Sequence, residues 1–180
     1  MIRRFLSELP WPSVAAMAVV VVASNWLVQF PINEVLTWGA ITYPFSFLVT
    51  DLTTRLKGPG PARRAVWVGF ALAVLLSIWL ATPRIALASG TAFLVGQLLD
   101  IQVFQKLRQG SWWRAPLVSS TVGSVVDTAL FFSLAFAGTG LPWVTLALGD
   151  LGVKLAMAVL ALAPFRAVLA LALPGPRLAR

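Results

Sequence analysis

The sequence predicts an all-α membrane protein whose six transmembrane helices form one bundle. Of its 180 residues, 59% are hydrophobic and only 11% are charged, whereas about a quarter of the residues in a soluble domain are charged. The apolar residues are grouped into six spans, each close to the ~20 residues that cross a bilayer. The basic residues lie in clusters between these spans, as the anchors of transmembrane helices do.

The six predicted spans are joined by short connections, so the whole chain, 1–180, is predicted to be a single domain. They cover approximately residues 13–30, 36–56, 65–81, 85–107, 115–137 and 143–165. The second span is the most polar, and Pro44 removes one backbone hydrogen bond from it. We expect this helix inside the bundle, where neighbouring helices satisfy its polar groups.

The distribution of basic residues predicts the orientation of the chain. If six spans are correct, all Lys and Arg residues except Arg84 and Lys154 lie on one side. Because basic residues concentrate in cytoplasmic loops, both termini are predicted to be cytoplasmic. The basic residues near the termini are Arg3, Arg4, Arg177 and Arg180. No clean small-x-small cleavage site precedes Asn25, so we expect the first span to be retained rather than cleaved as a signal peptide.

Several classes of function are disfavoured by composition. The sequence contains neither cysteine nor histidine, which removes disulfides, thiol nucleophiles, the usual zinc sites and histidine proton relays. It contains no Walker-type phosphate-binding loop, so we expect no ATP hydrolysis by this chain. Its net charge of +8 resides in clusters flanking the spans, and no soluble basic face remains for nucleic acid. We expect no cofactor and no metal.

Four acidic residues fall inside predicted spans: Asp51, Asp100, Asp127 and Asp150. A carboxylate at the centre of a bilayer costs roughly 2.5–3.5 kcal/mol, so all four are expected to face the interior of the bundle. Gln97 lies on the same helical face as Asp100, in the segment "GQLLD". The sequence therefore predicts a polar interior.

Helical spacing suggests partners for some of these groups. Asp150 and Lys154 are four residues apart and can pair directly, either as a structural ion pair or within a binding site. Asp51 is four residues before Arg55, and we expect these two to pair. At 1.5 Å per residue, Asn25, Asp127 and Lys154 come near the middle of the bilayer. A polar cluster there is typical of a transporter of small solutes.

Four fragments carry a resemblance to a known family. They are "YPFSFLVTDLTTR" (Tyr43–Arg55), "GQLLDIQVFQKLR" (Gly96–Arg108), "WWRAPLVSSTVGSVVDTALFF" (Trp112–Phe132), and Asp150 with Lys154. In this order and spacing they resemble the queuosine precursor transporters, which belong to the vitamin uptake transporter group of the bacterial inner membrane. The resemblance extends roughly from residue 25 to residue 164.

The resemblance implies an importer of 7-deazaguanine precursors of the tRNA base queuosine. The implied substrate is 7-cyano-7-deazaguanine or 7-aminomethyl-7-deazaguanine, and the implied location is the inner membrane. The implied architecture is similar to the six-helix substrate-binding subunits of energy-coupling-factor importers. Whether energising subunits or a second copy of the chain take part stays open.

A guanine-like ring presents two adjacent N–H donors and a carbonyl. A carboxylate can accept from both N–H groups, while an amide or an ammonium group donates to the carbonyl. Asp127 or Asp100 suits the first task; Gln97, Asn25 or Lys154 suits the second. The candidate substrate-binding residues, with aromatic side chains that could stack on the ring, are Asn25, Tyr43, Phe47, Asp51, Phe93, Gln97, Asp100, Asp127, Asp150 and Lys154.

Three other functions are compatible with parts of the sequence. The segment "ALGDLGVKL" is similar to the Gly-x-Gly-Asp-x-Lys segment of intramembrane aspartic peptidases, but Ala147 replaces the first glycine and Lys154 follows Asp150 by four residues rather than two. A substrate-binding subunit for another vitamin would use the same fold. A purely structural membrane subunit would not require four acidic helices. The sequence therefore favours a transporter over an enzyme.

Overall fold

The computed structural model describes residues 10–27, 29–33, 36–80 and 82–172. The basic residues Arg3, Arg4, Arg177 and Arg180, and residue 81 of the predicted third span, lie outside them. Within the described residues the elements are α1 (Trp11–Leu27), β1 (Pro31–Asn33), β2 (Leu36–Thr37), α2 (Trp38–Thr42), α3 (Phe45–Lys57), α4 (Pro59–Leu80), α5 (Pro83–Leu107), α6 (Arg114–Phe136), α7 (Trp143–Leu160) and α8 (Leu162–Ala172). The strands β1 and β2 form a short antiparallel hairpin.

The helices are apolar towards the outside and polar towards the inside. Trp79 is 86% exposed and Leu171 is 85% exposed, whereas Gln97 and Asp100 are fully buried. Three helical segments in the described part of the chain have the length and apolarity to cross a bilayer, namely α5, α6 and the run Trp143–Ala172 formed by α7 and α8. α1 is apolar but shorter. The chain is therefore an all-helical membrane protein.

The single helix expected over 36–56 was wrong. Residues 36–37 form β2, α2 ends at Thr42, and α3 begins at Phe45. Pro44 has no N–H and cannot bond to the preceding turn, so the helix is interrupted there. The interior position expected for this segment is confirmed, because six residues of α3 are buried: Ser46, Phe47, Thr50, Asp51, Thr53 and Thr54.

Two glycines allow α5 and α6 to pack with their backbones close together. A Cβ atom at Gly123 would lie 2.7 Å from Cε1 of Phe47 and 3.1 Å from the carbonyl oxygen of Gly96. A Cβ atom at Gly96 would lie 3.0 Å from Cβ of Asp127. Small residues at such crossings let polar side chains on neighbouring membrane helices reach one another. The crossing therefore sets the distance between the acidic side chains of α5 and α6.

Arg84 joins the beginning of α5 to the end of α6. Its Nε donates to the carbonyl oxygen of Leu134 at 2.8 Å, and its Nη2 donates to that of Ala137 at 2.6 Å. A cation there satisfies carbonyl groups that have no partner within the helix and interacts favourably with the helix dipole. At the opposite end of this helix pair, α5 and α6 are joined by residues 108–113, which include Trp112 and Trp113.

The substitution Gly123→Ala is expected to destabilise the protein by about 1–3 kcal/mol, because the new methyl group must displace Phe47 or separate α5 from α6. The matched control is Gly152→Ala on α7, where no atom lies within 4 Å of the added Cβ. Thermal unfolding in detergent is the measurement. A midpoint for Gly123→Ala equal to that of Gly152→Ala would contradict the close crossing.

Candidate functional site

Lys154 lies between two carboxylates at the contact between α6 and α7. Its Nζ is 2.7 Å from Oδ2 of Asp127 and 2.5 Å from Oδ2 of Asp150. Nζ also donates to Oγ1 of Thr128 at 3.0 Å, and Thr128 donates to Asp150 at 2.8 Å. The pairing of Asp150 with Lys154 expected from their spacing is present. These residues and Tyr43, described next, are called the Lys154 cluster.

Tyr43 connects this cluster to the helix break between α2 and α3. Its hydroxyl group donates to Oδ1 of Asp127 at 2.7 Å. The ring of Tyr43 lies 5.3 Å from Nζ of Lys154, measured to its centroid. It also meets the rings of Phe47 and Phe93 edge-on, at centroid distances of 6.3 and 6.4 Å. The interruption at Pro44 thus places an aromatic side chain against the buried ions.

Gln97 forms a second polar contact, between α5 and α3. Its Oε1 accepts from Oγ1 of Thr50 at 2.5 Å, and its Nε2 donates to Oγ of Ser46 at 2.8 Å. The sequence interpretation did not single out Ser46 or Thr128. Ser46 lies one helical turn before Thr50, so helical spacing could have identified it.

Asp51 and Asp100 lie together at a separate place. Oδ1 of Asp51 accepts from Ser119 at 3.0 Å, and Oδ2 accepts from Ser120 at 2.9 Å. The predicted pairing of Asp51 with Arg55 was wrong, because Arg55 Nη1 donates to the carbonyl oxygen of Arg108 at 2.5 Å. Asp51 lies on the buried face of α3, which packs against α6, so its carboxylate accepts from the serines of α6.

Asn25 is not brought into the Lys154 cluster. Its Nδ2 donates to the carbonyl oxygen of Val21 at 2.8 Å, within its own helix α1. The side chain is half-buried. The other predicted residues of the central site, Tyr43, Phe47, Phe93, Gln97, Asp127, Asp150 and Lys154, come from α3, α5, α6 and α7 and from the break before α3.

The interior is closely packed in this structure. A cavity of about 10 Å³ is bounded by residues that include Phe47, Ser120, Ser124 and Lys154, and this volume accommodates about one water molecule. The polar groups of the Lys154 cluster bond to one another, and Gln97 bonds to Ser46 and Thr50, as expected for buried polar groups. In the described part of the chain no three acidic side chains converge as a metal site would require.

Removing Lys154 is expected to cost more stability than removing one of its partners. Lys154→Gln leaves the buried carboxylate of Asp127 and the half-buried carboxylate of Asp150 without a cation, whereas Asp150→Asn leaves the pair of Asp127 and Lys154 intact. Breaking a buried pair by removing one partner costs about 3–5 kcal/mol. Thermal unfolding in detergent should therefore show a lower midpoint for Lys154→Gln than for Asp150→Asn, and the reverse order would refute the shared role of Lys154.

Comparison with known proteins identifies the family. A family model described as "Putative vitamin uptake transporter" matches residues 37–82 and 75–169. The chain is 36% identical to the queuosine precursor transporter of Escherichia coli (strain K12), with 83% of this chain and 81% of the relative covered. It is also 36% identical to a "Probable queuosine precursor transporter" of Haemophilus influenzae, with 81% and 79% covered. No solved structure matches the chain.

These matches cover the residues that build the site. The family model spans the helix break at Tyr43 and the helices that carry Gln97, Asp127 and Lys154. The resemblance noted in the four sequence fragments is confirmed. The chain therefore belongs to the vitamin uptake transporter family.

Proposed function

We propose that this protein imports 7-deazaguanine precursors of queuosine, such as 7-cyano-7-deazaguanine or 7-aminomethyl-7-deazaguanine, across the inner membrane of a bacterium. The observation that carries the proposal is the Lys154 cluster, in which buried ions meet an aromatic residue at an interrupted helix. Transporters commonly build their substrate sites at such interruptions. The two relatives at 36% identity supply the substrate class, because they are named queuosine precursor transporters.

In the proposed topology the chain is one domain that crosses the membrane six times. The spans correspond to α1, α3, α4, α5, α6 and α7, with α2 and α8 as extensions of the second and the last. Both termini are then cytoplasmic, as the distribution of Lys and Arg predicts. This arrangement is similar to the substrate-binding subunits of energy-coupling-factor importers.

The proposed site recognises the polar edge of the deazaguanine ring. Asp127 accepts hydrogen bonds from the two ring N–H groups, and Gln97 donates to the ring carbonyl. The three N–H donors of Lys154 are already engaged within its cluster. Asp150 orients Lys154 by pairing with it. Tyr43, Phe47 and Phe93 contribute aromatic surfaces beside the ring. A ligand without the N–H groups is rejected, because Oδ1 of Asp127 would lose the hydroxyl group of Tyr43 without gaining another donor.

Substrate entry requires the site to open. The observed cavity holds about one water molecule, whereas ligand pockets usually measure about 300–1,000 Å³. Tyr43 holds Asp127 in the closed state, and it lies at the interruption before Pro44. A hinge motion of α2 against α3 would withdraw Tyr43 and free the carboxylate. The ligand then replaces the hydroxyl group, so that no buried group loses its partner.

Transport suits this arrangement better than proteolysis does. Asp150, the residue on which the similarity to aspartic peptidases rests, is bound to Lys154 and Thr128. An aspartic dyad needs two carboxyl groups that share one proton without an intervening cation. The carboxylates of Asp127 and Asp150 share a lysine instead, so the segment that is similar to the peptidases does not form such a dyad.

Expression of the chain in a bacterium that neither makes queuosine nor imports its precursors tests the proposal. With micromolar 7-cyano-7-deazaguanine in the medium, the wild type should restore queuosine in tRNA. Asp127→Asn and Gln97→Ala should each lower the initial rate of restoration at least about tenfold, since each removes a hydrogen-bond partner of the ligand.

The matched control is Ser133→Ala, which lies on α6 with Asp127 and bonds only to the carbonyl groups of its own helix. This variant should restore queuosine as the wild type does. Correct insertion and equal amounts of each variant are checked in isolated membranes. Failure of a correctly inserted wild type would overturn the substrate assignment and favour another vitamin as the ligand.

A further inference from the structure

Asp100 carries a buried carboxyl group without a hydrogen-bond partner. Its side chain is fully buried, and neither Oδ1 nor Oδ2 receives a hydrogen bond from the described residues. A buried ionised carboxylate in that state costs several kcal/mol, far more than a neutral acid. An isolated, ionised Asp100 therefore does not account for the observed burial of this carboxyl group.

The neighbour of Asp100 is a second carboxyl group. Asp51 is 2% exposed, and both acids face the same stretch of α6, because Cβ of Asp100 lies 3.3 Å from a Cβ built at Gly123. One helical turn before Gly123, the hydroxyl group of Ser119 donates to Asp51. Ser120 donates to the other oxygen of Asp51. The two serines thus satisfy Asp51 and leave Asp100 without a donor.

Cations on the surrounding helices do not compensate this pair. Within the described residues, no ion pair joins a lysine or arginine to Asp51 or Asp100. Arg55 and Arg108 donate to each other's carbonyl oxygens, Arg166 lies over the ring of Trp112, and Lys154 binds the carboxylates of the Lys154 cluster. α1 contains no charged residue. The other charged residues on the packed helices are Lys57, Arg63, Arg64, Arg84, Lys106 and Arg114, of which Arg84 binds carbonyl oxygens at the end of α6.

One proton resolves the arrangement. Two ionised carboxylates side by side repel each other strongly in a water-excluded site, so the pair takes up a proton. The protonated carboxyl group then has an O–H, which it donates to the other carboxylate, and the missing hydrogen bond is made. We propose that Asp51 and Asp100 form a proton-binding pair, separate from the Lys154 cluster, and that its proton drives substrate import.

The pair and the Lys154 cluster are physically connected. The water-sized cavity is bounded by both Ser120, which donates to Asp51, and Lys154, which donates to Asp127. The acids also flank one helix crossing: Cβ of Asp100 lies 3.3 Å from a Cβ built at Gly123, and Cβ of Asp127 lies 3.0 Å from one built at Gly96. A shift of α5 against α6 therefore moves both sites together.

In the coupled cycle, a proton from outside binds the carboxylate pair, the substrate binds at the Lys154 cluster, and both leave to the cytoplasm. The proton forms an O–H bond on entry and that bond breaks on release, so no other reactant is needed. This coupling rests on the proposed function, whereas the protonation of the pair does not.

Infrared spectroscopy of the purified full chain tests the protonation directly. At neutral pH the wild type should show the carbonyl stretch of a protonated carboxylic acid, which shifts on exchange into deuterium oxide. Asp100→Asn and Asp51→Asn should each abolish the band, and Asp150→Asn should retain it. Absence of the band in the wild type, or its persistence in both pair variants, would overturn the proton-binding pair.

Transport by the full chain in liposomes tests the coupling. With the membrane potential clamped at zero, an inward proton gradient of one pH unit should concentrate 7-cyano-7-deazaguanine up to about tenfold for one proton per substrate. A protonophore should abolish this accumulation. Asp100→Asn, which resembles the protonated acid, should lose the accumulation and keep the exchange of labelled for unlabelled substrate.

The outcomes separate this inference from the proposed function. Exchange without any response to the proton gradient, or accumulation that follows a sodium gradient instead, would overturn proton coupling while the substrate assignment stands. Accumulation by Asp100→Asn equal to the wild type would overturn the role of the pair. No exchange of 7-cyano-7-deazaguanine by the wild type would overturn the substrate and its coupling, and the infrared band alone would then decide the proton-binding pair.

Discussion

The ammonium group of Lys154 is the interaction on which the interior of the bundle depends. It compensates two carboxylates that lie on different helices, and so it joins α6 to α7. Through Asp127 the same contact extends to the hydroxyl group of Tyr43, which fixes the interrupted helix against α6. Because ions are strongly disfavoured in an apolar environment unless they are paired and hydrogen-bonded, each member constrains the position of the others.

Close approach of the helices makes this polar interior possible. Gly96 and Gly123 remove two side chains from the crossing of α5 and α6, which leaves space for Phe47 and brings Asp127 and Asp100 to its two sides. The outward faces carry large apolar residues such as Trp79 and Leu171. The bundle thus inverts the arrangement of a soluble protein: contact with lipid favours apolar surfaces, and ionisable groups are stable only where other protein groups satisfy them.

Two acidic sites with opposite character result from this arrangement. The buried polar groups of the Lys154 cluster are hydrogen-bonded to one another, with one ammonium group between two carboxylates, so a polar ligand can exchange for one of its members at little net cost. In the pair of Asp51 and Asp100, serine donors satisfy one carboxyl group only, and among the described residues no lysine or arginine forms an ion pair with either acid, which is why we propose this pair as the proton site. A site that exchanges partners and a site that gains and loses charge are the two elements that an ion-coupled importer needs.

The sequence by itself determined the class of the protein, the interior position of Asp51, Asp100 and Asp127, and the pairing of Asp150 with Lys154. An apolar composition indicates a chain that lies in a membrane, and residues four apart on a helix are always neighbours. Only the tertiary structure decided the contacts between helices, namely those of Tyr43 and Lys154 with Asp127, of Gln97 with Ser46, and of Asp51 with Ser119. They join residues 27 to 84 positions apart, and helical periodicity does not specify how one helix is rotated against the next. The expected pairing of Asp51 with Arg55 is lost for this reason, because packing against α6 gives Asp51 the donors Ser119 and Ser120. The break at Pro44 is local by contrast, since proline has no N–H to continue the helix.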